Sequence, residues 1–232
     1  QTLLAREVDH RAKNVLAVVQ SVLRLTPKGD AAAYARAVEG RVMALARAHA
    51  LLAEGAWAGA ELRVLAEREL APYTGGGAAA AGALLEGPPV PIAAVAVQPL
   101  AVVLHELATN AAKHGVLSAP GGRVRLTWSI EKGADLLRLR WAEEGGPAVA
   151  GPPGRRGFGS TAIEATARGQ LGGTTAFDWA PAGLRVDIAL PLRRVLAPPS
   201  SAPSPAARSP SPSPQPGLAP RRPVAALPGT AA

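Results

Sequence analysis

Within Glu7-Val8-Asp9-His10-Arg11-Ala12-Lys13-Asn14 an ionisable nucleophile, His10, sits among two acids, three cations-or-amides of phosphate-binding type and little else. A neutral imidazole can accept a phosphoryl group. On a helix, Val8, Val15, Val19 and Val22 recur at near-heptad spacing and define a buried seam, which leaves His10 off that seam and exposed. Lys13 and Asn14, three and four residues on, share the histidine's face and can meet a phosphoryl group on its ring. Taken alone, the segment also fits a bland surface histidine.

A second polar group lies in Leu104-His105-Glu106-Leu107-Ala108-Thr109-Asn110-Ala111-Ala112-Lys113-His114-Gly115. Helical spacing puts Glu106, Asn110 and Lys113 on one face, beside an apolar stripe of Leu100, Val103, Leu104, Leu107 and Ala111. An Asn amide oxygen is a hard ligand suited to Mg²⁺ alongside substrate phosphates, and a lysine ammonium neutralises phosphate charge. From spacing alone, a solvated polar face with His105 as a satisfied core residue describes the segment at least as well.

Two glycine-rich segments follow. Trp141-Ala142-Glu143-Glu144-Gly145-Gly146-Pro147 ends a strand-like run, where glycines admit a ligand to the backbone and a carboxylate can accept from an adenine amino group. Arg155-Arg156-Gly157-Phe158-Gly159-Ser160 leads into a helix whose first amides can face phosphate oxygens. Neither ends in the Gly-Lys-Ser/Thr of a Walker A loop or has dinucleotide-fold spacing, and no Ser-His-Asp elbow or metal-histidine motif occurs.

The elements that must position these residues read as two kinds of structure. Gln1 to about Leu25 is helical, Thr26-Pro27-Lys28-Gly29-Asp30 is a turn with Asp30 as N-cap, and a second helix runs to about Leu52. Val38, Val42, Leu45, His49 and Leu52 repeat at coiled-coil spacing, so the first fifty or so residues form a helical hairpin that a second subunit would complete as a four-helix bundle. Small residues such as Ala12, Ala35 and Ala46 also allow the seam to pack within one chain. From about Trp57 to Leu192 helices alternate with short strands, the pattern of an α/β sandwich. Helices are expected over Glu61–Leu70, over Gln98–His114 with Pro99 in the first turn, and after Gly159. Strands are expected near Leu84–Leu85, over Arg123–Ile130 and Leu136–Trp141 as an antiparallel pair, and over Thr174–Trp179 and Leu184–Leu190. After Ala197 Pro, Ser and Ala dominate, a composition unable to offset the entropy of ordering, which predicts a disordered tail.

Of the 232 residues, 48% are apolar, enough for a sizeable core. Cysteine is absent, which excludes disulfides and thiolate metal sites. The charge of +8 suggests nucleic acid. Against it, Arg208, Arg221 and Arg222 fall in the tail, the remaining charges form no stripe, and no aromatic residues are interleaved for base stacking. No nucleic acid and no membrane segment are therefore expected. The chain starts at Gln1 without Met, which predicts a missing upstream region.

Taken in order, His-Arg-Ala-Lys-Asn, His-Glu-Leu-Ala-Thr-Asn-Ala-Ala-Lys, Trp-Ala-Glu-Glu-Gly-Gly-Pro and Gly-Phe-Gly-Ser resemble the motif set of the HWE family of bacterial sensor histidine kinases, named for residues that stand here as His105, Trp141 and Glu143. The resemblance covers about Glu7 to Leu192. It implies an α+β chain: a dimerisation and phosphoacceptor hairpin over 1–55, a Bergerat-type (GHKL) two-layer ATP-binding sandwich over 56–196, and the tail from 197 to 232. It implies that His10 is the phosphoacceptor, that Asn110 holds Mg²⁺ between ATP phosphates with Glu106 beside it, and that Lys113 approaches the phosphates. His105 and Trp141 belong to the same ATP-binding set. Glu143 takes the adenine-reading role, Gly145 and Gly146 make room for the base, and Gly157 and Gly159 close a short lid, Ala148–Arg156, over the phosphates. Thr161-Ala162 stands where the family pattern has Arg-Leu.

The implied reaction is in-line attack of the His10 imidazole on the γ-phosphoryl of ATP, with Mg²⁺ balancing charge. The phosphoryl then passes to an Asp of a response-regulator receiver domain. Arg11 occupies the place where many histidine kinases carry an acid, so the base stays unassigned, with Asp9 or Glu7 as groups that could help, and Asn14 is a candidate for orienting the phosphoryl group. The implied partners are a receiver domain, a second copy of the chain and an upstream sensor, and the implied location is the bacterial cytoplasm. The alternative is a GHKL-fold ATP-binding module acting as a serine kinase or binding without transfer.

Overall fold

The computed structural model describes residues 30–74, 82–149, 151 and 158–197. His10, Asn14, Gly157, the expected first helix and the expected tail lie outside them.

Asp30 begins the described chain as an N-cap, its carboxylate accepting from the amides of Ala32 and Ala33. That satisfies two of the donors a helix start leaves open. Helix α1 (Ala31–Glu54) follows and ends at Gly55. Its buried stripe is Arg41, Ala44, Leu45, Ala48, Leu51 and Leu52. The expected seam is only partly right among the described residues, because Val42 and His49 are exposed. The stripe is rotated by about one residue so that the small side chains of Ala44 and Ala48 face the body of the protein and let the helices approach closely.

A short β1 (Ala60–Glu61) pairs antiparallel with β3 (Pro91–Ile92), and α2 (Leu62–Leu70) lies between them in sequence, capped by Glu61. The central helix is α3 (Ala94–Lys113), which packs against α1, α2 and α4 (Phe158–Gly169). Every residue from Ala96 to Ala108 is buried. α3 starts four residues before the expected Gln98, since burial of Ala96 and Val97 extends it, and Pro99 therefore lies in the second turn. The hydrogen bond lost there is the one to Val95, which is 73% exposed, so water can serve its carbonyl.

Five strands make the sheet: β2 (Gly82–Glu86), β4 (Arg123–Glu131), β5 (Leu136–Glu144), β7 (Gly183–Pro191) and β6 (Thr174–Ala180), side by side in that order. β2 runs parallel to β4 and the other pairs are antiparallel. One face is mostly apolar: Val124, Leu126 and Trp128 alternate inward on β4 and Leu137, Leu139 and Trp141 on β5, with Leu126 opposite Trp141 and Trp128 opposite Leu139, as the alternation predicts. The other face carries charges across strands, such as Arg140 with Asp187 and Arg138 with Glu131. The molecule is thus a two-layer α+β arrangement with helices on the apolar face. No helix among the described residues is long and apolar enough to cross a membrane.

Candidate functional site

Three neighbours meet the polar residues of α3 and the turn that follows it: α1 meets His105 and Glu106, α4 meets Asn110, and β5 meets the turn. His105 points at α1 and at the chain after α2. A Cβ on Gly40 of α1 would stand 2.9 Å from His105 Nε2, so the ring is pressed against a residue that must lack a side chain. Tyr73 Oη lies 3.2 Å from His105 Nδ1 and 3.0 Å from Thr109 Oγ1. Burial pushes the imidazole down to about 4, with the nearby Glu106 carboxylate opposing and the cations of Arg47, Arg41 and Lys113 assisting. His105 is therefore neutral at ordinary pH and shares little with the face that carries Asn110.

Glu106 is also buried. Arg41 Nε of α1 donates to its Oε1 at 2.6 Å, with the two side chains 3% and 9% exposed. A solvated-face description of the helix thus fails at Glu106, while the description of His105 as a satisfied core residue holds.

Asn110, one turn past Glu106, is half-buried and faces the start of α4. A Cβ on Gly159 would collide with the Asn110 amide. The glycine is what permits the first turn of α4 to lie on the helix that carries Asn110. Lys113 is exposed at the C-terminal end of α3. Two motifs separated by nearly fifty residues are therefore joined around one amide whose oxygen is a hard, neutral donor.

The third cluster fixes the turn that follows α3. Glu143 is buried on the apolar face of β5 beside Trp141, whose indole Nε1 donates to Glu143 Oε1 at 3.2 Å. The Val116 amide donates to Oε2 at 3.1 Å. Burial raises the Glu143 carboxyl, and these two hydrogen bonds pull against it. Gly115 abuts the same carboxylate so closely that a Cβ would collide with Oε2, and a Cβ on Gly146 would come within 2.6 Å of Val116 Cα. Gly145 has a φ of +77°, a left-handed conformation that suits glycine. Trp141, Glu143 and Gly146 thus pin the post-helix turn, and each carboxylate oxygen keeps a second lone pair.

Sequence reasoning missed Arg41, Gly40, Tyr73 and Thr109. Arg41 left a trace: a charge in phase with Ala44, Ala48 and Leu52 on a buried stripe must have a buried partner. Its partner lies 65 residues away, beyond what spacing can reach.

A family model described as HWE histidine kinase matches residues 7–89. The blue-light-activated histidine kinase of Rhizobium johnstonii is 43% identical over 190 residues, covering 81% of this chain and 53% of that protein. Its Brucella melitensis counterpart is 34% identical over 83% of this chain and 40% of its own length. The chain thus spans about half the length, or less, of the curated relatives it matches. In fold it is similar to the histidine kinase domain of the Erythrobacter litoralis EL346 blue-light activated histidine kinase, with a TM-score of 0.57 at 24% identity over 83% of this chain and 97% of that domain.

Proposed function

The chain belongs to the HWE histidine kinase family, and from that premise we propose that it is an ATP-dependent protein histidine kinase that phosphorylates its own His10 and passes the phosphoryl group to an Asp of a response-regulator receiver domain. The observation that carries the proposal is the meeting of Asn110 with Gly159, which sets a hard oxygen donor against a glycine-rich helix start. With Lys113 exposed one turn on, that donor set fits a metal-bound triphosphate better than an apolar ligand.

In this reading residues 56–196 bind nucleotide and residues 1–55 supply the phosphoacceptor hairpin. Asn110 would hold Mg²⁺, which when bound offsets charge on the phosphate oxygens. Lys113 supplies a mobile cation to the same oxygens. Gly157 and Gly159 let backbone amides close on them. Glu143 uses its remaining lone pairs toward the adenine amino group, in a turn already fixed by Trp141 and Val116. Gly145 and Gly146 leave room for the base. His105 acts at one remove, by seating α1 on α3. The His10 imidazole attacks the γ-phosphorus, the bond to the bridging oxygen breaks, and ADP leaves with that electron pair. Asn14 orients the transferred group, and Asp9 or Glu7 takes the ring proton. Catalysis is then mostly positioning.

Incubation with Mg²⁺ and γ-labelled ATP tests this. The expected result is a label that is acid-labile, alkali-stable and absent from His10→Gln, and that moves to a receiver domain. An acid-stable label, or one that survives the substitution, overturns the proposal in favour of a serine kinase of the same fold.

A further inference from the structure

Buried ion pairs seldom stabilise a fold more than apolar residues of the same volume, because two charges must be taken out of water. The Arg41–Glu106 pair is such a case, 2.6 Å apart with neither side chain more than 9% exposed. Around it α1 buries Ala44, Leu45, Ala48, Leu51 and Leu52 on the same stripe. The position of the pair, more than its contribution to packing, calls for a cause. Glu106 is one helical turn ahead of Asn110 on the same face of α3, so its carboxylate lies next to the amide assigned above to the nucleotide phosphates.

A carboxylate without a cation paired to it in that position is a hazard to a kinase. Water held by it can attack the γ-phosphorus: the water oxygen bonds to phosphorus, its proton passes to the carboxylate, and the bond to the bridging oxygen breaks with the electron pair leaving on ADP. The product is free phosphate, and no phosphoprotein forms. Arg41 Nε takes up Oε1 from the side of α1, so the carboxylate is paired with a cation and both side chains are largely buried. The guanidinium comes from α1, the helix that follows the proposed phosphoacceptor segment in the chain. The state of the carboxylate is therefore tied to whether that helix is seated.

We propose that Arg41 is a positioning residue of the nucleotide site: through Glu106 it keeps the γ-phosphoryl from water while α1 is docked on α3, so that transfer to protein prevails over hydrolysis. This rests on the kinase reading above and adds to it a control on the fate of the phosphoryl group.

The test uses the full chain with Mg²⁺ and labelled ATP, measuring ADP formed against acid-labile phosphoprotein in a single turnover, with occupancy followed by a fluorescent ATP analogue. In the unaltered chain the two quantities should match. In Arg41→Met at equal occupancy, ADP should exceed phosphoprotein by on the order of tenfold or more, since a positioned base contributes at least that much. In Arg41→Met/Glu106→Gln the excess should vanish, because the group that takes the proton is gone. Arg41→Lys, which keeps the charge, should sit near the unaltered ratio. An unchanged ratio in Arg41→Met overturns the inference, as does an excess that survives in the double variant, which a merely loosened fold would produce. Should Arg41→Met fail to fold, Arg41→Gln takes its place: excess ADP there that Glu106→Gln abolishes supports the proposal, and its absence overturns it. Nucleotide turnover without any acid-labile label in the unaltered chain overturns the kinase reading alone, and the effect of Arg41→Met on ADP formation still decides the inference. Absence of turnover in every variant overturns both.

Discussion

A histidine packed beneath a backbone that has no side chain has nowhere to place hydration for a positive charge. His105 is in that position under Gly40, and burial holds it down to about 4, against about 6.5 in the unfolded chain. Between these values the unfolded state binds more protons, so stability present above pH 6.5 is lost as the pH falls toward 4. The full loss is on the order of 3 kcal/mol. Glu69 and Glu143 act in the opposite sense, because burial raises both carboxyls above their ordinary value and the fold holds their protons longer than the unfolded chain does. The difference between the unaltered chain and His105→Asn isolates the histidine: denaturant unfolding at intervals from pH 4 to 7 should show a shallower acid slope in the variant, with the two curves converging toward pH 4. Parallel curves would show that the ring is charged in the fold. In the sequence His105 could be read as a satisfied core residue or as part of an ATP site. The partners that decide, Gly40 and Tyr73, are a glycine and a tyrosine with no motif of their own, so their roles were not legible.

At the scale of elements, alternation and capping carried most of what could be foreseen. Asp30 before an alanine-rich run and the alternating strands expected over Arg123–Ile130 and Leu136–Trp141 are set by local chemistry; they form, the first ending at Glu131 and the second running three residues further to Glu144. The face of α1 was harder to read. Its residues are mostly small, so the apolar stripe has little contrast, and the rotation that buries Arg41 and exposes Val42 goes with packing of Ala44 and Ala48 against the body and a salt bridge to a distant helix. The connection after α1 was not foreseen either. Ala56 and Trp57 have φ values of 49° and 64°, left-handed conformations that cost L-residues about 1 kcal/mol or more each. They are held by Trp57 N–H donating to the Leu52 carbonyl at 2.8 Å and by the edge of the Trp57 ring against His49, with centroids 4.9 Å apart. Ala56→Gly should relieve one of these costs against a smaller entropic one, for a net gain of roughly 0.5 kcal/mol in denaturant unfolding. Trp57→Gly should destabilise, since it loses the ring contacts along with the strain. A loss of stability in Ala56→Gly would mean that the methyl group is held in place by contacts stronger than the strain.

For the whole molecule, the fold's use is to bring one amide, one glycine-rich helix start and one pinned turn to the same end of a central helix. The motifs were legible one by one, and their order matched a family pattern. Their meeting was not, because it depends on α3 being buried from Ala96 to Ala108 and so contacted from several sides. A ligand that joins these parts should stabilise the fold by mass action, since it binds the folded state alone. Mg²⁺ with a non-hydrolysable ATP analogue at a hundredfold over its Kd should add about 2.7 kcal/mol, which for a domain of this size raises the unfolding midpoint by roughly 5–10 °C. Asn110→Ala should abolish the Mg²⁺-dependent part of that rise. Its own midpoint without nucleotide should stay within a few degrees of the unaltered chain, because Asn110 is half-buried and meets Gly159 through its amide. Gly159→Ala should lose the rise as well, by a different route: the added methyl must displace the Asn110 amide or lift the start of α4 off α3. An equal rise in all three chains, read by scanning fluorimetry with and without Mg²⁺, would place the nucleotide away from this end of α3.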